Sequence, residues 1–250
     1  MSKKERLDVL LVAQGLAESR QKAQAMILSG AVVVGDHRVD KPGTRVDVQA
    51  AIRVRGETLK YVSRGGLKLE AALDAFALDV RGFVAADIGA STGGFTDCLL
   101  QRGAVRVYAI DVGTAQLHEK LRQDPRVVSV ERFNARELDA TVVPESVDLA
   151  VFDVSFISLL KVVPAVLPRL KPEALVIALV KPQFEAGREA VEKGGVVRDE
   201  AVRSATITQV ATALDGLGLT RVGLMDCPIP GPSGNVEGLY AGRLQPRSAR

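Results

Sequence analysis

The chain has no tryptophan, two cysteines, two histidines and no apolar run near the ~18 residues that a membrane-spanning helix needs. Each shortage removes a class of protein. Cys98 and Cys227 cannot build a disulfide framework. With His37 and His118 far apart, and no CxxC or HExxH, the sequence spells out no metal-ligand cluster. The opening stretch, MSKKERLDVLLVAQGL, interrupts its apolar residues with Arg6 and Asp8, which is not a signal-peptide pattern. A cytoplasmic protein with no metal and no membrane partner is expected.

What is present is ordinary for a globular protein: 47% hydrophobic and 25% charged residues, in 250 residues that allow one large domain or two unequal ones. Charge is unevenly placed. Residues 1–60 carry 11 Lys+Arg against 7 Asp+Glu, a net of +4, and the remainder is −1. The whole positive excess lies in the first quarter, a modest pointer to a polyanion partner.

That quarter has a compact grammar. Leu7, Leu10 and Leu11 have helical spacing, and Gly15 is a stop. Ser19 is a candidate N-cap for a second helix carrying Ala23, Met26 and Ile27, which ends at Ser29-Gly30. AVVVGDHRV then reads as a hairpin with Gly35-Asp36 in the turn. Arg20, Lys22 and Gln24 are expected to point outward, with Arg38 and Lys41 near the turn. Arg6-Leu7-Asp8, Gly15, Ser19-Arg20, Ala23, Ile27, Gly30, Val32, Val34 and Lys41-Pro42 closely resemble an S4 RNA-binding domain. The resemblance implies docking on structured RNA through Arg6, Arg20, Lys22, Arg38 and Lys41, with Arg64 further along the chain.

From residue 65 onward the rhythm becomes strands alternating with helices, which predicts a mostly parallel sheet covered on both faces. Helices are expected over 68–78, 94–103, 115–124, 159–171 and 199–216, and strands over 83–90, 106–111, 127–133, 147–156, 174–180, 220–229 and 238–244. The expected division is residues 1–58, a linker over 59–64, and 65–250.

The first of these strands runs into DIGASTGGF. Asp87, Gly89, Ser91, Thr92, Gly93, Gly94 and Phe95 form a glycine turn that opens a helix, and the glycines let backbone come close to a ligand. The dinucleotide pattern G-x-G-x-x-G fails at Ser91, and G-x-x-x-x-G-K is absent, which weighs against NAD, FAD and ATP. Asp111 ends the next strand, where a carboxylate can accept two hydrogen bonds from a ribose diol. Glycine turn plus strand-end acid resembles the S-adenosylmethionine site of Rossmann-like methyltransferases. Asn134, after the third strand, stands where many such enzymes have an acid facing the adenine amino group. Its other reading is a turn former.

Charge also ends two further strands: Asp153 after LAVF, and Lys181 after ALVIALV, where Pro182 stops the strand. Lys68 leads a helix, and Glu237 ends a glycine-rich loop. The order Lys68, Asp153, Lys181, Glu237 resembles the K-D-K-E tetrad of FtsJ-like ribose 2′-O-methyltransferases. With VSRGGLKL, DVSF, LVKPQFE and GNVEG, and the S4-like domain ahead, the chain resembles the TlyA family of rRNA methyltransferases nearly throughout. The resemblance implies an S4-like α+β domain before an S-adenosylmethionine-dependent methyltransferase with a mostly parallel seven-stranded sheet. It also implies 2′-O-methylation of cytidine in ribosomal RNA or ribosomal subunits, sensitivity to capreomycin-type inhibitors, and no obligate protein partner. One departure is the linker, Leu59-Lys60-Tyr61, where family members carry an R-x-W stretch.

In this setting Lys181 is a candidate general base for a ribose hydroxyl, with Lys68 as a neighbouring cation and Asp153 and Glu237 as orienting groups. A charged Lys181 that stabilises the alkoxide is the open alternative. DVSF lacks the N/D-P-P-Y/F pattern of amino-directed methyltransferases, and Cys227, expected on the sixth strand, reads as a buried small residue rather than a nucleophile. A non-catalytic RNA-binding or ribosome-assembly factor and a membrane-active haemolysin are the rival functions.

Overall fold

In the computed structural model, residues 4–17, 19–35, 37–54, 60–192, 194–231 and 234–246 are described. Asp36 of the expected hairpin turn, Leu59 of the linker, and Pro232 and Ser233 of the loop before Glu237 lie outside them. The chain forms two compact units, 1–60 and 61–250.

In the first unit, strand β1 (Lys4–Arg6) leads into helix α1 (Leu7–Ala13), and helix α2 (Arg20–Leu28) follows. Ser19 caps α2 by accepting from the Lys22 backbone N–H at 3.2 Å. Strands β2 (Val32–Val34) and β3 (His37–Arg38) make the expected hairpin. Two further strands were not expected: β4 (Arg45–Asp47), which pairs with β1, and β5 (Ile52–Val54), which pairs with β2. Three-residue strands are too short to show a period of two. Leu7, Leu11, Ala23, Ile27 and Val32 make the core.

The second unit begins with helix α3 (Gly65–Ala75), followed by β6 (Val84–Ile88), α4 (Gly94–Gln101), β7 (Arg106–Ile110), α5 (Glu119–Arg122) and β8 (Val127–Val130). Then come β9 (Val147–Phe152), α6 (Val163–Val166), β10 (Leu170–Val180), α7 (Pro182–Glu185), α8 (Glu200–Asp215), β11 (Leu219–Asp226) and β12 (Gly238–Leu244). Seven strands form one sheet in the order β11-β12-β10-β9-β6-β7-β8. Pairing is parallel from β10 through β8, and β12 runs antiparallel to both β10 and β11. The central strands are apolar on both faces because both are covered: Ala86, Ile88, Ala150 and Phe152 pack into one layer, Ala85, Leu149 and Val151 into the other.

Three expectations need correction. The helix expected over 115–124 shrinks to α5, since Ala115 takes a left-handed φ of 52°. The helix expected over 159–171 breaks into 3-10 turns around the four-residue α6, because Pro164 and Pro168 lack the N–H that a longer helix needs. Its last residues instead start β10, which bulges between Leu170 and Leu175. Cys227 falls just past β11 rather than on it.

Candidate active site

The sheet order reverses between β9 and β6, and a crevice opens outside the carboxyl ends of the strands at such a point. Ile88 and Ala178 both register with Phe152, so β6, β9 and β10 end at similar heights. The residues after those ends therefore face one space.

Two cavities occupy it. One of 600 Å³ is lined by Asp111, Asn134 and the apolar Ile88, Ile110, Val112 and Phe133. The other, of 710 Å³, is lined by Arg64, Lys68, Asp153, Lys181, Glu237, Thr92, Gly94 and Phe95. Gly89, Ser91, Asp153, Ser155 and Phe156 belong to both, so the cavities meet at the ends of β6 and β9.

Asp111 is held on both oxygens, Oδ2 accepting from the Ser91 N–H at 2.8 Å and Oδ1 from the Gly113 N–H at 2.7 Å. Each oxygen keeps a further lone pair toward the smaller cavity. Apolar walls for a purine and a fixed carboxylate for a diol make this space a fit for an adenosine moiety. Asn134 borders it, but its Oδ1 caps the following 3-10 turn, accepting from the Arg136 N–H at 3.2 Å. That geometry favours the turn-former reading.

The glycines of the turn also answer to packing. A Cβ on Gly89 would stand 2.8 Å from the Asp153 carbonyl oxygen, one on Gly93 would collide with Leu117 and Leu121, and one on Gly94 with Ser63. The close packing brings the backbone of Gly89 and Gly94 to the cavity walls, where a side chain would have no room. Gly89 and Gly93 also take φ of 86° and 95°, which L side chains rarely adopt. Asp87 lines neither cavity. It is fully buried beneath the turn, with Oδ2 accepting from the Thr96 hydroxyl at 2.6 Å and Oδ1 without a partner among the described residues. Burial pushes its carboxyl up to about 7, and the charges of Asp153 and Asp111 add to the rise.

The four charged residues singled out earlier line the larger cavity as two pairs. Lys68, on α3, places Nζ 2.5 Å from Glu237 Oε2, and both are buried. Gly231 leaves room for that carboxylate, since a Cβ there would lie 2.7 Å from Oε1. Lys181 caps α7 in an extended conformation, with Pro182 starting the helix. Its side chain is only 11% exposed, and Nζ lies 2.6 Å from Asp153 Oδ1 and 2.9 Å from Ser155 Oγ. It does not snorkel to solvent. The charge of Lys68 is met by Glu237, so the immediate partners of Lys181 are Asp153 and Ser155. Cys227 is buried beside Lys68 and Glu237, its backbone N–H donating to the Glu237 carbonyl at 2.7 Å. Burial pushes its thiol up, away from the thiolate that a nucleophile requires.

Sequence reasoning passed over Ser155 and Phe156, although both lie in the DVSF motif. Phe156 is 90% exposed, takes a left-handed φ of 64°, and meets Phe184 with ring centroids 5.1 Å apart. That φ is strained for a bulky side chain, and the residue lines both cavities. Neither its φ nor its exposure has a sequence signal. Arg64, exposed at the rim of the larger cavity, donates to the Pro230 carbonyl at 2.8 Å.

In the first unit, Arg6 and Arg20 come together on Asp8, and Gln24 turns inward to the same carboxylate rather than outward. Arg38 donates to the Ser29 carbonyl at 3.0 Å, at the far end of α2 from Arg20, roughly 13 Å along the helix. Lys22 and Lys41 are exposed. The five residues thus spread over the unit rather than forming one cluster.

Comparison with known proteins agrees with both units. Residues 61–244 match the FtsJ-like methyltransferase family, and residues 5–52 match the S4 domain. The chain is 47% identical to the 16S/23S rRNA (cytidine-2′-O)-methyltransferase TlyA of Mycobacterium tuberculosis, over 95% of this chain and 89% of that one. It is 43% identical to Hemolysin A of Brachyspira hyodysenteriae, over 93% and 97%. A solved structure from Streptococcus thermophilus that also carries a hemolysin label aligns with a TM-score of 0.75 at 45% identity, covering 98% of this chain and 90% of that one. No helix among the described residues is long and apolar enough to cross a membrane. From residue 61 onward the chain belongs to the FtsJ-like methyltransferase family, with an S4 domain ahead of it.

Proposed function

We propose that the protein transfers a methyl group from S-adenosylmethionine to the 2′-hydroxyl of a ribose in ribosomal RNA, at cytidine, in the cytoplasm. The observation that carries this reading is the Lys181–Asp153 pair, in which Lys181 lines the larger cavity and Asp153 lines both. The smaller cavity takes the adenosine end of the cofactor, with Asp111 on its ribose. When bound, the cofactor supplies an electrophilic methyl group on a sulfonium.

The hydroxyl to be methylated takes the position on Lys181 Nζ that Ser155 Oγ holds in this structure. In its neutral form Lys181 accepts the hydroxyl proton as the O–C bond forms and the bond from that carbon to the sulfonium sulfur breaks, and Asp153 holds the resulting ammonium in place. Lys68 and Glu237 fix the cavity wall. The exposed Phe156 ring offers a face on which an unstacked base can lie, a mode that single-stranded RNA recognition uses widely. Relatives named as rRNA (cytidine-2′-O)-methyltransferases support the substrate, and the S4 domain supports an RNA partner.

The test is methylation of unmodified ribosomal RNA by wild type and Lys181→Ala. The variant should lose roughly 10²–10⁴-fold in rate while staying folded at the assay temperature and keeping its S-adenosylmethionine affinity. Full activity in the variant sinks the assignment of Lys181. Failure of the wild type to bind S-adenosylmethionine, even with RNA present, sinks the enzymatic reading.

A further inference from the structure

The first unit contains an acid where an RNA-binding surface has least use for one. Asp8 is fully buried, yet four side-chain N–H groups converge on it. Arg6 gives Nε to Oδ1 and Nη2 to Oδ2, both at 3.0 Å. Arg20 Nε and Gln24 Nε2 each reach Oδ2 at 2.9 Å. The two arginine side chains remain 41% and 57% exposed, so each guanidinium is pinned on its inner edge and open on its outer one. Left free, two such side chains would sample many rotamers, and each would lose that freedom on binding. Anchored to one carboxylate, they present two planar forks at a fixed spacing.

We propose that Asp8 is a positioning residue for RNA, holding Arg6 and Arg20 as a preset pair of donors for two backbone phosphates. The proposal rests on the reading of the first unit as an RNA-docking surface. It makes a prediction that charge counting reverses. Asp8→Asn removes a negative charge from a surface that meets a polyanion, so a purely electrostatic surface would bind RNA more tightly. A positioning role requires weaker binding instead, because the neutral amide accepts fewer and weaker bonds from the two guanidiniums.

The experiment titrates the full-length protein against purified ribosomal RNA over a series of salt concentrations. Asp8→Asn is expected to bind about ten-fold more weakly and to show a salt slope shallower by roughly one or two released counterions. The loss should fall on KM for RNA, and in the Asp8→Asn background Arg6→Ala should cost less than it does in wild type. Arg20→Lys is a second probe that spares the fold. It keeps the charge but lacks the planar fork, and should lose most of what Arg20→Ala loses.

RNA binding by Asp8→Asn at or above the wild-type level overturns the proposal, as does wild-type binding by Arg20→Lys. If Arg6→Ala and Arg20→Ala themselves leave RNA binding intact, it is the reading of this surface as the RNA dock that fails.

Discussion

Asp8 and Asp87 are both completely buried, one in each unit, and their carboxyl groups move in opposite directions. Hydrogen bonds from Arg6 hold Asp8 well below the usual carboxylate range against the cost of its burial, and Gln24 and Arg20 add to the effect. Burial pushes Asp87 up to about 7, opposed by the bond from Thr96. Loss of solvent contact alone does not fix the charge of an acid: Asp8 lies just beneath half-exposed guanidiniums that favour its charged form, whereas Asp87 lies deep in the sheet with a single hydroxyl.

The contrast breaks most sharply if a partner is removed. Lys68→Ala leaves Glu237 buried without its cation and should cost about 3–5 kcal/mol of stability, read by denaturant unfolding. Replacing both members with apolar side chains of similar volume should recover much of that loss. Stability kept in the single variant would show that the pair contributes little.

Next in size is pH dependence, with opposite signs in the two units. The folded state holds the Asp87 proton up to about 7, whereas an unfolded chain releases it near the ordinary 3.8. Asp87 therefore costs stability increasingly as pH rises through that window, by up to a few kcal/mol at ~1.4 kcal/mol per unit. Melting curves of Asp87→Asn should gain on wild type from pH 4 to 7 and then hold level. Asp8 behaves inversely. Its stabilisation is present above the ordinary carboxylate range and fades as pH falls below it, so the wild-type advantage over Asp8→Asn should shrink in acid. Parallel pH profiles for the two variants would erase the distinction between the units.

The smallest effect belongs to a pair in water. Arg81 and Asp79 contact each other at 2.6 Å with side chains 79% and 59% exposed, and Arg81→Ala should leave the melting curve within error.

How much of this could be read from residues alone follows the same physics. Asp111, Asp153 and Lys181 were legible because each ends an apolar run, and a charge there has to lie at a strand tip. Ser19 was legible as a cap for an equally local reason. The pairing of Lys68 with Glu237 rather than with the rest of the tetrad was not, because it depends on contacts across 169 positions of chain. The work of Asp8 was hidden for the opposite reason, since an acid between basic residues looks like a surface charge until its burial is seen. Phe156 reads as one more apolar residue after a strand, and only its exposure and backbone angle in the fold set it apart. The broken segment over 159–171 shows periodicity misleading where two prolines decide.

Because residue 89 has no side chain, the tip of β6 rests directly against the main chain of the residue that partners Lys181. On the proposed function, the turn beside the methyl donor and the residue that holds the proton acceptor share a single joint. Widening that joint by even one carbon would displace both halves of the chemistry together, so saturation mutagenesis there should recover no variant crippled in one half and intact in the other.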